Sequence, residues 1–126
     1  MSDSNPINSS DIKSLQQIIS YIPDIVRRER NNQQYIYLYN VGHYWAAFDE
    51  SAFLLCKLFN TTQTAIFRNT GYPFPVIMGY ISDEELQKYN RHHIFCRDYP
   101  DHKVIIGSKI ITEQYRNWYR MEIEDC

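Results

Sequence analysis

The sequence predicts an α+β fold in which a central mixed β-sheet is flanked by helices, the elements following one another as ααββαββαββα. Three observations lead there. An apolar stripe at helical spacing near the N-terminus gives way, from Tyr35, to strict alternation of side-chain character. Short apolar runs then recur, separated by turn residues and by Ser, Thr and Asp in helix-capping positions. The length, 126 residues, suits one domain able to bury a core without metal or disulfide staples.

Residues 1–9 are rich in Ser and Asn and are expected to form a disordered lead, with the single domain spanning 10–126. Ser9 or Ser10 caps a first helix whose stripe runs Ile12, Leu15, Ile19, Ile22. Pro23 either kinks this helix or opens a second short one from its first turn, with Ile25 and Val26 continuing the stripe into the polar stretch Arg27 to Gln34. From Tyr35 to Tyr39 the pattern is that of a strand, with Tyr35, Tyr37 and Tyr39 on one face and Ile36 and Leu38 on the other. Asn40, Val41 and Gly42 connect it as a hairpin to a second strand, Tyr44 to Phe48. Asp49 caps a helix from Glu50 to Phe59 that is apolar on most sides and should sit deep. Thr62 to Arg68 is a third strand, Asn69 to Pro75 a turn region, and Pro75 to Tyr80 a short buried strand. Ser82 and Glu85 form a capping box for a helix over Asp83 to His92. Strands near His93 to Asp98 and Lys103 to Ile106 follow, and Thr112 caps a last helix with an aromatic stripe of Tyr115, Trp118 and Tyr119 and with Arg116 and Arg120 on another side. No internal repeat is visible.

Composition narrows the function classes. The net charge of -2 gives no global attraction for phosphate, so a nucleic-acid contact would need a local basic patch. Three widely spaced cysteines fit reduced thiols, and the polar N-terminus with no long apolar run predicts neither secretion nor a membrane span, hence a cytoplasmic protein. Eleven tyrosines against four glycines supply many rings that are half apolar and half hydrogen-bonding, a composition common at binding surfaces.

Few constellations point to chemistry. Asp83, Glu84 and Glu85 are adjacent carboxylates, but acids in a first helical turn complement the helix dipole. His92, His93 and Cys96 are close in sequence, yet no second Cys or His pair completes a closed zinc site, so neither metal nor cofactor is expected. No glycine-rich phosphate loop or nucleophile elbow is present, and the chain is expected to be non-enzymatic. The arginines, Arg27, Arg28 and Arg30 first and then Arg68, Arg91, Arg97, Arg116 and Arg120, read either as solvated charges or as phosphate contacts beside exposed rings.

The stretch Tyr37-Leu-Tyr-Asn-Val-Gly42-His-Tyr44-Trp-Ala46-Ala-Phe48-Asp-Glu resembles the N-terminal mismatch-reading domain of the MutS family, in which a hydrophobic strand leads to G-D-F-Y-E-x-F, then acids and a helix. Pro75, Met78, Gly79 and Cys96 fall in the order of that domain's later motif, so the likeness covers roughly Tyr35 to Asp98. It implies a MutS domain I-like sheet surrounded by helices. It also places Tyr44 at the ring that wedges beside a mispaired base, with His43 where the family has Asp and Ala46 where it has the base-contacting Glu. The family's ATPase, clamp and connector parts have no counterpart here, which implies no ATP and a likeness to stand-alone accessory proteins of diversity-generating retroelements.

Two functions are therefore expected. The first is a non-catalytic module that binds mispaired or distorted duplex DNA, or an RNA·DNA hybrid, by aromatic stacking through Gly42, His43 and Tyr44 with Arg27, Arg28, Arg30 and Arg68. The second is a protein-interaction adaptor whose tyrosine-rich surfaces, Tyr35, Tyr37 and Tyr39 or Tyr115, Trp118 and Tyr119, bind a reverse transcriptase or a second copy of the chain.

Overall fold

The computed structural model describes residues 9–69 and 72–124. The expected disordered lead lies outside them except for Ser9, which already opens the first helix. The elements are α1 (Ser9–Ile19), α2 (Ile22–Glu29), β1 (Tyr35–Val41), β2 (Tyr44–Phe48), α3 (Glu50–Leu58), β3 (Gln63–Asn69), β4 (Tyr72–Ser82), α4 (Asp83–Asn90), β5 (Arg97–Asp98), β6 (His102–Ile106) and α5 (Thr112–Glu124). The fold is α+β in the order expected. Pro23 resolves the first alternative by opening α2, where its missing N–H leaves no helical bond unmade.

The six strands form one sheet in the order β3-β4-β2-β1-β6-β5. Every ladder is antiparallel, which corrects the expected mixed sheet. Consecutive strands pair as hairpins, and each hairpin is followed by one helix. α3 carries the chain from β2 to β3, two positions away, and β4 then fills the gap antiparallel to both neighbours. No two parallel strands come to lie side by side.

Alternation along β1 and β2 divides the core between the two faces. Ile36, Leu38, Trp45 and Ala47 pack with Ile81, Ile105 and the apolar sides of α3, α4 and α5. Ala46, Phe48 and Val41 turn the other way and pack with Ile22, Ile25 and Val26 of α2 and, less deeply buried, Leu15, Ile18 and Ile19 of α1. Phe48 has no exposed surface, and burying such a ring contributes about 1.5–3 kcal/mol.

Local chemistry explains where the boundaries differ from expectation. Tyr72 to Pro75, expected as turn, is the opening of β4. This stretch lies beyond the reach of β2, whose pairing begins at Met78, and beside a register shift against β3, so the missing N–H groups of Pro73 and Pro75 cost no inner ladder bond. The serine half of the expected capping box forms, with the Glu85 N–H donating to Ser82 Oγ at 3.1 Å. Asp49 does not cap α3 with its side chain. It sits at φ 48°, and its carboxylate instead accepts the Ile77 N–H at 2.9 Å while its own N–H donates to the Ile77 carbonyl at 2.8 Å. Ile77 belongs to β4, so Asp49 fastens the end of β2 to the next hairpin. Only Arg97 and Asp98 of the expected 93–98 strand pair with β6, because His93 folds back to stack on Tyr89 at 3.9 Å. Among the described residues no helix is long and apolar enough to cross a membrane.

Candidate functional site

The structure places the sequence-predicted residues in separate parts of the sheet. Gly42 and His43 are the two-residue loop between β1 and β2, one step later than the expected Asn40–Gly42 connection. The positive φ of Gly42, 67°, with a negative one at His43 is the pattern of a II′ hairpin turn. Glycine is required there twice over, since a Cβ would fall 1.5 Å from Oδ1 of Asp11 on α1. The Asp11 carboxylate is buried, accepts the His43 N–H at 3.3 Å and lies 3.3 Å from the His43 ring nitrogen Nδ1. His43 thus has a structural partner that no neighbour in sequence reveals.

Tyr44 is half-buried beneath α1 and meets Tyr80 edge to face at 5.7 Å. It lines an apolar cavity of about 220 Å³ with Leu15, Val41, Ala46 and Met78. Burial raises its hydroxyl pKa above the ordinary tyrosine value, with Tyr80 and Asp11 adding to the effect. Ala46, which stands at the position of the base-contacting acid in the MutS pattern, is buried. The ring at the wedge position therefore packs along the sheet.

The arginines do not gather around that turn. Arg27 is exposed on α2 and pairs with Asp24 at 2.7 Å. Arg30 reaches the opposite end of the sheet, where its guanidinium binds Asp49 at 2.9 Å, the Tyr72 hydroxyl at 2.9 Å, and Glu50. Burial opposes the Arg30 charge, but Glu50, Tyr72 and Asp49 together hold its pKa above the usual value. Burial in turn raises both carboxyls, against the pull of Arg30. Beside this group Glu29 is fully buried, accepts the Ser51 N–H at 2.9 Å and the Ser51 hydroxyl at 2.7 Å, and is pushed up to about 8 chiefly by desolvation. Arg68 is exposed on β3 toward this same end of the sheet.

Arg28 enters a second aromatic cluster, one without the carboxylates that hold Arg30 beside Tyr72. Its guanidinium lies 4.0 Å over the Tyr37 ring and donates to the Tyr39 hydroxyl. Tyr37, Tyr39, His102, Val104, Tyr35 and Ile106 share this face, because β6 pairs with β1 in the register Tyr39↔His102, Tyr37↔Val104, Tyr35↔Ile106. Tyr37 and His102 are parallel within 5°, and Tyr35 lies 6.1 Å from Tyr37. Arg97 of β5 stands opposite Val104, and so in one row with Tyr37. α1 and α2 lie over β1 and β2 and leave the rings and the end of this side of β6 and β5 open, with Tyr35 37% and Ile106 52% exposed and Val104 buried among them. Among the described residues neither Arg28 nor Arg97 has a carboxylate within ion-pair distance. Partial burial lowers the His102 pKa, Arg28 and Arg97 lower it further, and Asp101 and a hydrogen bond to the Leu38 carbonyl oppose them.

The tyrosine alternation was visible in the sequence as a possible partner surface. His102 was not, and Arg97, one of several arginines read as possible phosphate contacts, is placed beside these rings only by the β1–β6–β5 register. Comparison of the chain with protein-family models, with curated proteins and with solved structures returned no match.

Proposed function

We propose that this chain is a non-catalytic accessory module that binds nucleic acid by aromatic stacking, at a surface other than the Gly42–Tyr44 turn through which its resemblance to the MutS mismatch-recognition domain implied contact with mispaired or distorted duplex. The surface that serves it is the open face of β1, β6 and β5. The observation that carries the reading is the joining of Tyr35, Tyr37 and His102 to two arginines that have no carboxylate within ion-pair distance among the described residues. Flat rings take bases of any sequence, and guanidinium groups take phosphate or stack on bases themselves. A net charge of -2 makes such a local patch necessary. The hairpin ring Tyr44 is poorly disposed for the role, being packed against Tyr80.

Fluorescence anisotropy with labelled oligonucleotides at two salt concentrations tests the proposal. The double variant Arg28→Ala, Arg97→Ala should weaken binding about 10-fold or more and flatten the salt dependence, while Tyr44→Ala should leave both unchanged. Equal affinity of wild type and double variant would refute the assignment of this surface.

A second reading draws on the same face. Tyr35 and Ile106 form an exposed apolar end to it, and tyrosine with arginine is also the composition of protein interface centres. An adaptor for a reverse transcriptase or for a second copy would use these residues. Its mark is the loss, in an Ile106→Asp variant, of self-association by light scattering or of co-purification with a polymerase, in a chain that binds no oligonucleotide.

A further inference from the structure

The open face of β1, β6 and β5 carries an inference about what form of nucleic acid it accepts, which rests on the nucleic-acid reading above. We infer that its ligand is an unpaired strand, about three nucleotides of which lie across β1 and β6. Three features of the surface point there.

The first is shape. The rings belong to strands, not to a protruding helix or loop, and their planes are close to parallel where Tyr37 faces His102. Such a surface cannot enter a groove, and inside a duplex the flat faces of the bases are already stacked on one another. Away from the two ends of a duplex, only unpaired bases offer a face to it. The second is spacing. The centroids of Tyr35 and Tyr37 are 6.1 Å apart and those of Tyr37 and His102 6.4 Å apart, wider than the roughly 3.4 Å rise per nucleotide of a stacked strand, so the bases that lie on them must be splayed from one another, as only an unpaired strand allows. Successive bases can stack on Tyr35, on the outer side of the Arg28 guanidinium that covers Tyr37, and on His102.

The third is the number of charges. Duplex binders that rely on phosphate make on the order of 6–10 contacts. This face offers Arg28 and Arg97, with His102 as a third when protonated. Two or three neutralised phosphates give a log affinity against log salt slope of about -1.4 to -2 on a single strand, too shallow to hold a duplex without stacking. Each stack, by contrast, is worth about 10-fold in affinity or more. The surface is built to bind mainly through bases.

The test uses the full chain with labelled dT12 and U12, a blunt matched duplex of 12 base pairs, and the same duplex with a bulge of three unpaired nucleotides. Unpaired strand and bulge should bind at least 10-fold more tightly than the matched duplex, with a strand salt slope of about -1.4 to -2. Tyr35→Leu, which keeps an apolar side chain but loses the ring, should lower strand affinity about 10-fold with an unchanged thermal midpoint. dT12 against U12 separates DNA from RNA as the source of the strand, and either result supports the inference. If matched duplex binds as tightly as strand and both weaken in Arg28→Ala, Arg97→Ala, the nucleic-acid reading stands and the inference fails. Bulge binding that depends on Tyr44 and not on Tyr35 also overturns it. If nothing binds at low salt, the reading itself falls, and the inference with it.

Discussion

Glu29 offers the most quantitative test of the packing at the Arg30 end of the sheet. Its carboxyl has no exposed surface, and desolvation pushes it up to about 8 from 4.5, against hydrogen bonds from Ser51 and Asn32 and with Glu50 adding to the rise. The folded state therefore holds a proton that the unfolded chain releases near 4.5. This contribution to stability is complete below pH 4.5 and is lost progressively as pH rises to about 8. At 1.36 kcal/mol per pH unit the interval from 4.5 to about 8 corresponds to roughly 5 kcal/mol, an upper limit because water admitted to the charged site would relieve it. For a domain of this size that is on the order of 15 °C in midpoint. Glu29→Gln keeps the shape of the neutral acid: its carbonyl can accept from the Ser51 N–H and from Asn32, and its amide can donate to the Ser51 hydroxyl, now 2.7 Å from Oε2. Thermal melts of both proteins at half-unit steps from pH 4.5 to 9 should show the wild-type midpoint falling below that of the variant as pH rises. Curves that stay parallel across the range would refute the protonated-acid account.

Other substitutions separate structural residues from binding ones. Gly42→Ala should cost about 2 kcal/mol in urea unfolding, since alanine is strained at φ 67° and its Cβ displaces Asp11 from His43. Arg30→Met leaves Asp49 and Glu50 without their counter-charge and should lower stability by about 3 kcal/mol, while the folded fraction keeps the wild-type affinity for oligonucleotide. His102 gives a pH test of the proposed face. Burial, Arg28 and Arg97 hold its pKa below 6.5 in the free protein, Asp101 partly offsetting them, and a bound phosphate would raise it. Strand affinity should then strengthen as pH falls from about 7.5 to 5.5, and anisotropy titrations of His102→Gln should show a smaller dependence.

Much of the fold was legible because the relevant signals are local. The alternation of Tyr35, Ile36, Tyr37, Leu38 and Tyr39 assigned each side chain to its face, and Ser82 marked the start of α4. The errors share a cause, which is that the deciding partner is distant in sequence. Pro73 and Pro75 read as turn until the pairing of β4 with β2 is known to begin beyond them. Asp49 reads as a cap because its true acceptor role, toward the Ile77 N–H, is 28 positions away. Arg30 had the same look as Arg28 in sequence, but Arg30, the C-cap two positions further on, reaches a buried acid pair, while Arg28 in the last turn of α2 reaches an aromatic surface. His43 had no local rationale because Asp11 lies 32 positions before it.

The open face itself follows from the dimensions of the elements. Six strands at about 4.8 Å span roughly 29 Å, and packed helices lie about 10 Å apart. The three helices α3, α4 and α5 suffice to cover one side of such a sheet. The two helices α1 and α2 cover about 20 Å of the other, so both edges stay partly bare there: Gln63 and Ala65 of β3 at one, and Ile106 of β6 with Arg97 of β5 at the other, where Val104 between them is buried. A bare antiparallel face that served only solubility would carry Thr, Ser and Lys at its outward positions. This one carries His102, Ile106 and Arg97 beside Tyr35 and Tyr37, with Arg28 laid across the boundary from α2. Shortage of helix accounts for the exposure, and it leaves the choice of residues unaccounted for. That choice is what binding to stacked bases would require.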